Sequence, residues 1–446
     1  MSTTTPRPNI LFILADDLGW ADLSVYGQQD YQTPHLDQLA AGGLRFTQAY
    51  ANSAVCSATR FALMTGRYQY RLPGGLEEPI RTTPDERGPI GLPPEHPTLP
   101  SLLGEAGYDT ALIGKWHLGP LPGFGPLKSG YQRFFGNLGG VIDYFTHKPA
   151  IGPEVKPDLY EGELPVQRVG YYTQILADEA TAYLAEPRRR QAPFFLSLHF
   201  TAPHWPWEGP EDEAVSRELS SLFHYDGGTQ ATYGRMVQAL DRAVGQVLDT
   251  LAAQGLAHNT LVIFSSDNGG ERFSKTWPFT GQKTELLEGG LRVPTLLRWP
   301  ARIAPRVSEQ VFATMDWLPT LLAAAGLQPH PDYPSDGENL LPVFTGEAPE
   351  HERQLFWRYK AHGQRAVREG RWKYLRINEH EFLFDVEADP RERANLKTRQ
   401  PERFERLRRL WDDWNARMLP ITDEVFTHGL SPEVQADRYR PESLPH

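Results

Sequence analysis

Five mostly apolar runs, at residues 9–15, 110–113, 194–200, 261–265 and 295–299, constrain the fold most strongly. A run without polar alternation reads as a strand buried on both faces, the pattern of a parallel sheet covered by helices. Helical patterns lie between the runs. The clearest puts Tyr233, Val237, Leu240, Val244, Val247, Leu248 and Leu251 on one face and stops at Gly255. Thr33-Pro34 reads as a helix start with proline at the first helical position, and Gly42-Gly43 closes that helix. Strands that alternate with helices predict an α/β fold: a large, mostly parallel sheet flanked by helices.

The pattern changes after Gly326. Segments 355–359, 371–376 and 382–385 are short and turn-separated, which predicts a short antiparallel sheet. Phe404, Leu407, Trp411 and Trp414, spaced by three and four, predict a helix behind it. The expected organisation is a large α/β domain over residues 1–344 and a small C-terminal α+β domain over 345–446, with an extended tail from Pro420. Arg188-Arg189-Arg190 is expected to be a solvated loop.

Composition removes some classes of function. Lys plus Arg number 45 against 56 Asp plus Glu, a net charge of −11, so no nucleic-acid partner is expected. The single cysteine, Cys56, rules out a disulfide scaffold. No apolar stretch approaches the ~20 residues of a membrane span, so no membrane partner is expected. The start is polar and the apolar run at 10–15 is too short for a signal-peptide core, so the expected location is cytoplasmic.

Ligands of open α/β sheets gather beyond the carboxyl ends of the strands. Here those ends carry charge. Asp16-Asp17 closes the first run, Lys115 and His117 follow the second, His204 follows the third, and Asp267-Asn268 closes the fourth. Asp16, Asp17, Asp267 and Asn268 offer only oxygen, which suits Ca²⁺, with Mg²⁺ or Mn²⁺ as alternatives, and no His/Cys cluster has zinc spacing. Each group also has an ordinary explanation when taken singly. Acids cap turns, Lys115 and His117 alternate as on a solvated strand face, Lys283 is an ordinary surface lysine, and a lone cysteine is usually a small buried hydrophobe. Arg60 lies one helical turn after Cys56 and would sit beside it if a helix starts there.

The motifs taken together resemble the sulfatase family. Cys56-Ser57-Ala58-Thr59-Arg60 matches its Cys-x-Pro/Ala-x-Arg signature, with Ala58 where proline is commoner, and Leu63-Met64-Thr65-Gly66-Arg67 matches the extension. Pro8-Asn9-Ile10 to Asp16-Asp17, Gly114-Lys115-Trp116-His117-Leu118-Gly119, Ala202-Pro203-His204, Ser266-Asp267-Asn268-Gly269 and Gly281-Gln282-Lys283 with Glu288-Gly289-Gly290 resemble further family landmarks in the family's order. Late landmarks fall at 316–321 and 384–390, so the resemblance runs from about residue 8 to 396.

The resemblance implies an alkaline-phosphatase-like fold. It also implies that a formylglycine-generating enzyme oxidises Cys56 to formylglycine, whose hydrated aldehyde attacks sulfur by covalent catalysis. It implies a metal held by Asp16, Asp17, residue 56, Asp267 and Asn268, with Lys115 and Lys283 on the sulfate oxygens. Arg60 then fixes residue 56, His117 is its base, and His204 is the acid for the leaving oxygen. The implied substrate is an aryl, alkyl or carbohydrate sulfate ester. A phosphonate or phosphate monoester hydrolase on the same fold, and a non-catalytic anion- or sugar-binding protein with an unmodified thiol, remain as alternatives. Tyr144, His147, Trp205 and Trp207 are further pocket candidates by position, and loop 123–165 is the expected seat of specificity.

Overall fold

The computed structural model describes residues 7–81, 86–429 and Gln435. Twelve strands precede residue 320: β1 (Asn9–Ala15), β2 (Leu44–Phe46), β3 (Ala49–Tyr50), β4 (Asp109–Gly114), β5 (Arg133–Gly136), β6 (Tyr160–Glu161), β7 (Leu164–Pro165), β8 (Phe194–His199), β9 (Thr260–Ser266), β10 (Thr295–Arg298), β11 (Arg306–Ser308) and β12 (Phe312–Ala313). All but β3 and β12, which pair with each other, form one ten-stranded sheet in the order β11-β2-β10-β9-β1-β8-β4-β5-β6-β7. Its centre, β9-β1-β8-β4-β5, is parallel, as the apolar runs predict. The run at 295–299 is instead an antiparallel strand, β10, between β9 and β2.

Alternate residues of β1 enter different cores. Leu11, Ile13 and Ala15 face a cluster that includes Leu176, Val237 and Val244, from the helices Tyr172–Ala185 and Gln230–Ala253. Ile10, Phe12 and Leu14 face Phe61, Leu63 and Leu321, from the helices Cys56–Thr65 and Trp317–Ala324. Among the described residues, no helix is long and apolar enough to cross a membrane.

The C-terminal sheet is β13 (Gln354–Tyr359), β14 (Gln364–Glu369), β15 (Trp372–Ile377) and β16 (His380–Asp385), antiparallel in chain order. Strand β14 escapes the sequence pattern because it is rich in charge. Its Arg368 is nonetheless fully buried, donating to the carbonyl of Gly370 and pairing with Tyr50 and Gln48. The helix Pro401–Asn415 covers this sheet with Leu407, Trp411 and Trp414. The third core joins these residues to Tyr50, Val55, Ala58 and Ala62. The helix Cys56–Thr65 is therefore clamped between the large sheet and the small one.

The expected solvated loop at 188–190 fails at Arg189. Arg189 is not a solvated loop residue. It is buried, its guanidinium lies 3.6 Å from the Tyr183 ring centroid, and it pairs with Asp109 at 2.8 Å. Cation–π contact and ion pairing together offset its desolvation.

Trp357 ties the two parts together. Its indole donates to the carbonyl of Ala51 at 2.9 Å and its ring centroid lies 5.5 Å from that of Tyr50. Trp357→Ala is expected to cost about 3–5 kcal/mol, the usual range for emptying a large buried aromatic site. Urea unfolding should show both parts melting earlier together. A loss below about 1 kcal/mol, or two separated transitions, would show that this contact does not couple them.

Candidate active site

The register of the parallel strands brings their polar ends together. Ala15 pairs with Ser266, Leu14 with His199, and Gly114 with His199, so the residues that follow emerge side by side. Gly114 has φ 112°, and a Cβ there would sit 1.9 Å from the carbonyl oxygen of His199. Only glycine allows that approach, which delivers Lys115 into the site. Asp17, His117 and Thr284, all flanking the site, also have positive φ, at 63°, 58° and 73°. Such backbone, least tolerable for a β-branched threonine, tends to gather where a site needs a fixed side-chain direction.

Cys56 opens the helix Cys56–Thr65, in which all ten residues are buried and Val55 provides no side-chain cap. The first-turn N–H groups therefore have no side-chain cap, and a helix start of this kind favours negative charge beside it. Arg60, one turn on, donates through Nε and Nη2 to one oxygen of Asp267 at 3.0 and 2.9 Å, and through Nη1 to the carbonyl of Lys115 at 3.1 Å. Lys115 Nζ is paired with Asp16. Lys283 Nζ lies 2.7 Å from Asp17 and 3.9 Å from Glu271. One ligand atom from each of Asp16, Cys56 and Asp267 lies within 4.8 Å of the others, and the same holds for Asp16, Asp17 and His204.

The structure thus brings together every sequence-predicted site residue: Asp16, Asp17, Cys56, Arg60, Lys115, His117, His204, Asp267, Asn268 and Lys283. The solvated-surface reading of Lys115, His117 and Lys283 is excluded by their burial.

Hydrogen bonds assign the two histidines. Nε2 of His117 lies 3.0 Å from the carbonyl of Ile80, which can only accept, so Nε2 carries the proton. Its Nδ1, 3.3 Å from the Cys56 sulfur, then offers a lone pair to residue 56. Burial first, then Lys115 and Arg60, hold the His117 pKa well down, which keeps the imidazole neutral. His204 has the opposite arrangement: Nδ1 donates to the carbonyl of Trp205 at 2.7 Å, and Nε2 faces Asp17 at 3.6 Å. Burial, then Lys283, lower its pKa as well.

The carboxylates are crowded. Burial and the charge of Asp16 push Asp267 up to about 7 against Arg60, and burial raises Asp17 against Lys283. Burial would raise Asp16 too, but Lys115 and its other cationic neighbours hold it low. Two buried oxygens, Oδ1 of Asp16 and Oδ1 of Asn268, have no hydrogen-bond partner. The Asn268 amide nitrogen donates to Asp17 at 2.7 Å and to the carbonyl of Gly269 at 2.9 Å, so its free atom is the acceptor. Repelling carboxylates and orphaned acceptor oxygens fit a hard divalent cation. The thiol of Cys56 is pushed up to about 11, chiefly by burial, so it is not an activated thiolate.

Above this floor lies a cleft of about 550 Å³. Lys283, His204 and His117 reach it from below; Ile80, Val141, Trp205, Phe223, Phe426 and His428 wall it. Of the four positional candidates, only Trp205 lines it. Tyr144 is buried and donates to the carbonyl of His204 at 2.8 Å, Trp207 packs on Tyr233 and Phe273, and His147 lies 3.1 Å from the carbonyl of Gly170. Gly140 and Val141 of loop 123–165 do reach the cleft.

Sequence reasoning missed His199, whose Nδ1 lies 3.3 Å from Arg60, and Glu271, which accepts from the Trp205 indole at 2.7 Å. His199 could have been found as a polar residue near the carboxyl end of the apolar run 194–200. Phe426 and His428 carried no signal, because only a chain return over the cleft gives them a role. That strap is held by Glu78: its N–H donates to Phe426, its carbonyl accepts from His428, and its carboxyl accepts from Lys360 N–H at 2.7 Å and Thr427 Oγ1 at 3.0 Å.

A recessed position 56 at a helix start, buried cations and unpartnered oxygens suit an anionic ligand beside a cation. Comparison with known proteins agrees. The Sulfatase family matches residues 8–327, and the family described as N-sulphoglucosamine sulphohydrolase, C-terminal, matches residues 281–414. The chain is 35% identical to N-acetylgalactosamine-6-sulfatase of Canis lupus familiaris, over 82% of this chain and 71% of that protein. It is 34% identical to arylsulfatase A of Homo sapiens, over 86% and 77%. The crystal structure of Ps i-CgsB in complex with k-i-k-neocarrahexaose superposes with a TM-score of 0.84 at 30% identity, covering 96% of both chains. The chain belongs to the sulfatase family. It is a sulfuric ester hydrolase with the sulfatase fold.

The strap makes a pH prediction. Burial pushes the Glu78 carboxyl up to about 8. Between the ordinary carboxylate range near ~4.3 and that value, the folded protein keeps a proton that the unfolded chain has lost. Stability from this group is therefore complete below the ordinary range and is lost as pH rises through the window. Glu78→Gln should lose less stability than wild type between pH 5 and pH 8 in urea titrations. Equal losses would mean that Glu78 does not hold this proton.

Proposed function

We propose that the protein hydrolyses a sulfated carbohydrate, through formylglycine made from Cys56 and with a bound divalent cation, Ca²⁺ by its donors. One observation carries the reading: the Cys56 sulfur and oxygens of Asp16 and Asp267 lie within 4.8 Å of one another. A thiol that burial keeps protonated is a poor nucleophile as it stands, which supports a modified residue. As formylglycine, residue 56 supplies an aldehyde whose hydrate attacks the ester sulfur. Asp16, Asp17, Asp267 and Asn268, with residue 56, would hold the cation, which when bound would balance charge on the ester oxygens.

The remaining work falls to side chains. Lys115 and Lys283 meet the sulfate oxygens from fixed positions, so no reorganisation is needed as charge develops. Arg60 is locked on Asp267 and the Lys115 carbonyl, which keeps residue 56 aimed at the cleft. For the second step His117 takes the proton of the hydrate's other hydroxyl, at Nδ1 because Nε2 is committed to Ile80. The carbon–oxygen bond to the bound sulfate then breaks, the aldehyde re-forms and inorganic sulfate leaves. His204 gives a proton from Nε2 to the leaving oxygen; the anionic ester arriving beside it favours the imidazolium that burial, and then Lys283, otherwise oppose. The carbohydrate class is supported by the relatives, an N-acetylgalactosamine-6-sulfatase and a protein crystallised with k-i-k-neocarrahexaose.

The peptide containing Cys56, from cells that hold the modifying enzyme, should be lighter by the exchange of CH₂SH for CHO. Active protein with an intact thiol would end the formylglycine reading. Cys56→Ala should abolish hydrolysis, and His204→Ala should lower kcat by roughly 10²–10⁴.

Removal of divalent cations with a chelator should stop turnover, and Ca²⁺ should restore it. Hydrolysis that survives exhaustive chelation would remove the cation from the account.

A further inference from the structure

A row of rings leaves the floor of the site and climbs to the surface. The His204 and Trp205 rings have centroids 4.2 Å apart; Phe223 follows Trp205 at 4.5 Å, and Tyr225 stacks on Phe223 at 5.5 Å with only 5° between planes. The ring of His428, on the strap, is nearly parallel to Phe223 at 6.3 Å. Phe223 and Tyr225 are 39% and 40% exposed. A contiguous exposed aromatic patch on a soluble protein usually marks a contact surface.

This row is built, not incidental. His224 between the two exposed rings adopts φ 48°, which turns its own side chain inward, where Nδ1 accepts from Trp207 N–H at 3.2 Å. Arg272 then clamps the segment, donating to the carbonyls of His224 and Phe223 at 2.7 and 2.9 Å while lying 4.7 Å from the Tyr225 ring centroid. Phe223 and Tyr225 are thus held outward by the chain's own contacts, and a ligand would not have to order them.

We propose that Phe223 and Tyr225, faced by His428, bind the sugar joined to the sulfated one, which itself lies against Trp205, so that the substrate is an oligosaccharide sulfate. The inference rests on the sulfated-carbohydrate reading and deepens it. The row starts at His204, which that reading sets beside the leaving oxygen, so whatever is linked through that oxygen must run along it. The row continues through two more rings, further than the single ring of a phenol sulfate or a free monosaccharide sulfate reaches. Pyranose rings offer an apolar face to such platforms and keep their hydroxyl edges in water.

The test compares matched pairs: 4-O- and 6-O-sulfated N-acetylgalactosamine and galactose, each as the free sugar and as the same ring in a disaccharide, with 4-nitrophenyl sulfate alongside. The wild type should favour the disaccharide of the accepted pair by tenfold or more in kcat/KM, mainly through KM. Phe223→Ala and Tyr225→Ala should shrink that preference to within about twofold, while Tyr225→Phe keeps it and thermal melting reports that the variants fold. Equal rates on both members of every pair would overturn the proposal. So would variants that lower both members equally, or a wild type that cleaves only the nitrophenyl ester, in which case sulfate ester hydrolysis stands and the subsite falls. Absence of turnover on every sulfate would overturn the catalytic reading and this proposal with it.

Discussion

Three carboxylates packed beneath residue 56 decide what else this molecule must contain. Asp16, Asp17 and Asp267 are fully buried, and buried charge is tolerated only when paired and hydrogen-bonded. Arg60, Lys115 and Lys283 supply the pairing, each reaching in from a different element. Three cations face these three acids and the neighbouring buried Glu271, so the side chains alone give the floor no excess of positive charge. A divalent ion on the unpartnered oxygens of Asp16 and Asn268 would tip it positive, which is what an anionic ester requires. The same groups that make the floor costly to bury make it selective for negative charge.

That floor depends on packing from both sides. The helix Cys56–Thr65 touches the large sheet through Phe61, Leu63 and Met64 and the small sheet through Ala58 and Ala62. Small residues on the second face let the C-terminal sheet approach closely. The C-terminal region also closes the cleft, since the strap that carries Phe426 and His428 is sewn to Glu78, and Ile80 nearby orients His117. One stretch of chain, 77–80, therefore links the wall of the pocket to the tautomer of its base.

Much of this was legible in the residues alone. Apolar runs marked the central strands, and because a parallel sheet aligns its carboxyl ends, the charges just beyond those runs were bound to meet. Asp16-Asp17, Lys115, His117, His204 and Asp267-Asn268 all followed from that rule. Three kinds of feature did not. Strand β14 hides behind its charged side chains, because burial of Arg368 depends on partners more than 300 residues away in sequence. Arg189 looked solvated because neither Tyr183 nor Asp109 advertises itself as its partner. Aromatic residues could not be sorted between core and cleft: Trp205 and Trp207 are two positions apart, and only the turn between them sends one to the pocket and the other into the interior.

Floor and walls are made by different physics, and this separates chemistry from selectivity. The floor hangs on strand ends and one buried helix, where ladder hydrogen bonds and packing fix each atom, as placement of a proton donor or an oxygen-holding cation demands. The walls come from irregular segments around residues 80, 141, 223 and 428, joined to the scaffold by a few hydrogen bonds apiece. Changing a ring there alters what can lie in the cleft without moving Asp16, His117 or Arg60. A fold built this way can keep one reaction and exchange substrates, because the groups that break the ester hang on the scaffold, while the segments that recognise what it is attached to meet them at a few points, such as Trp205 beside His204 and Ile80 on His117.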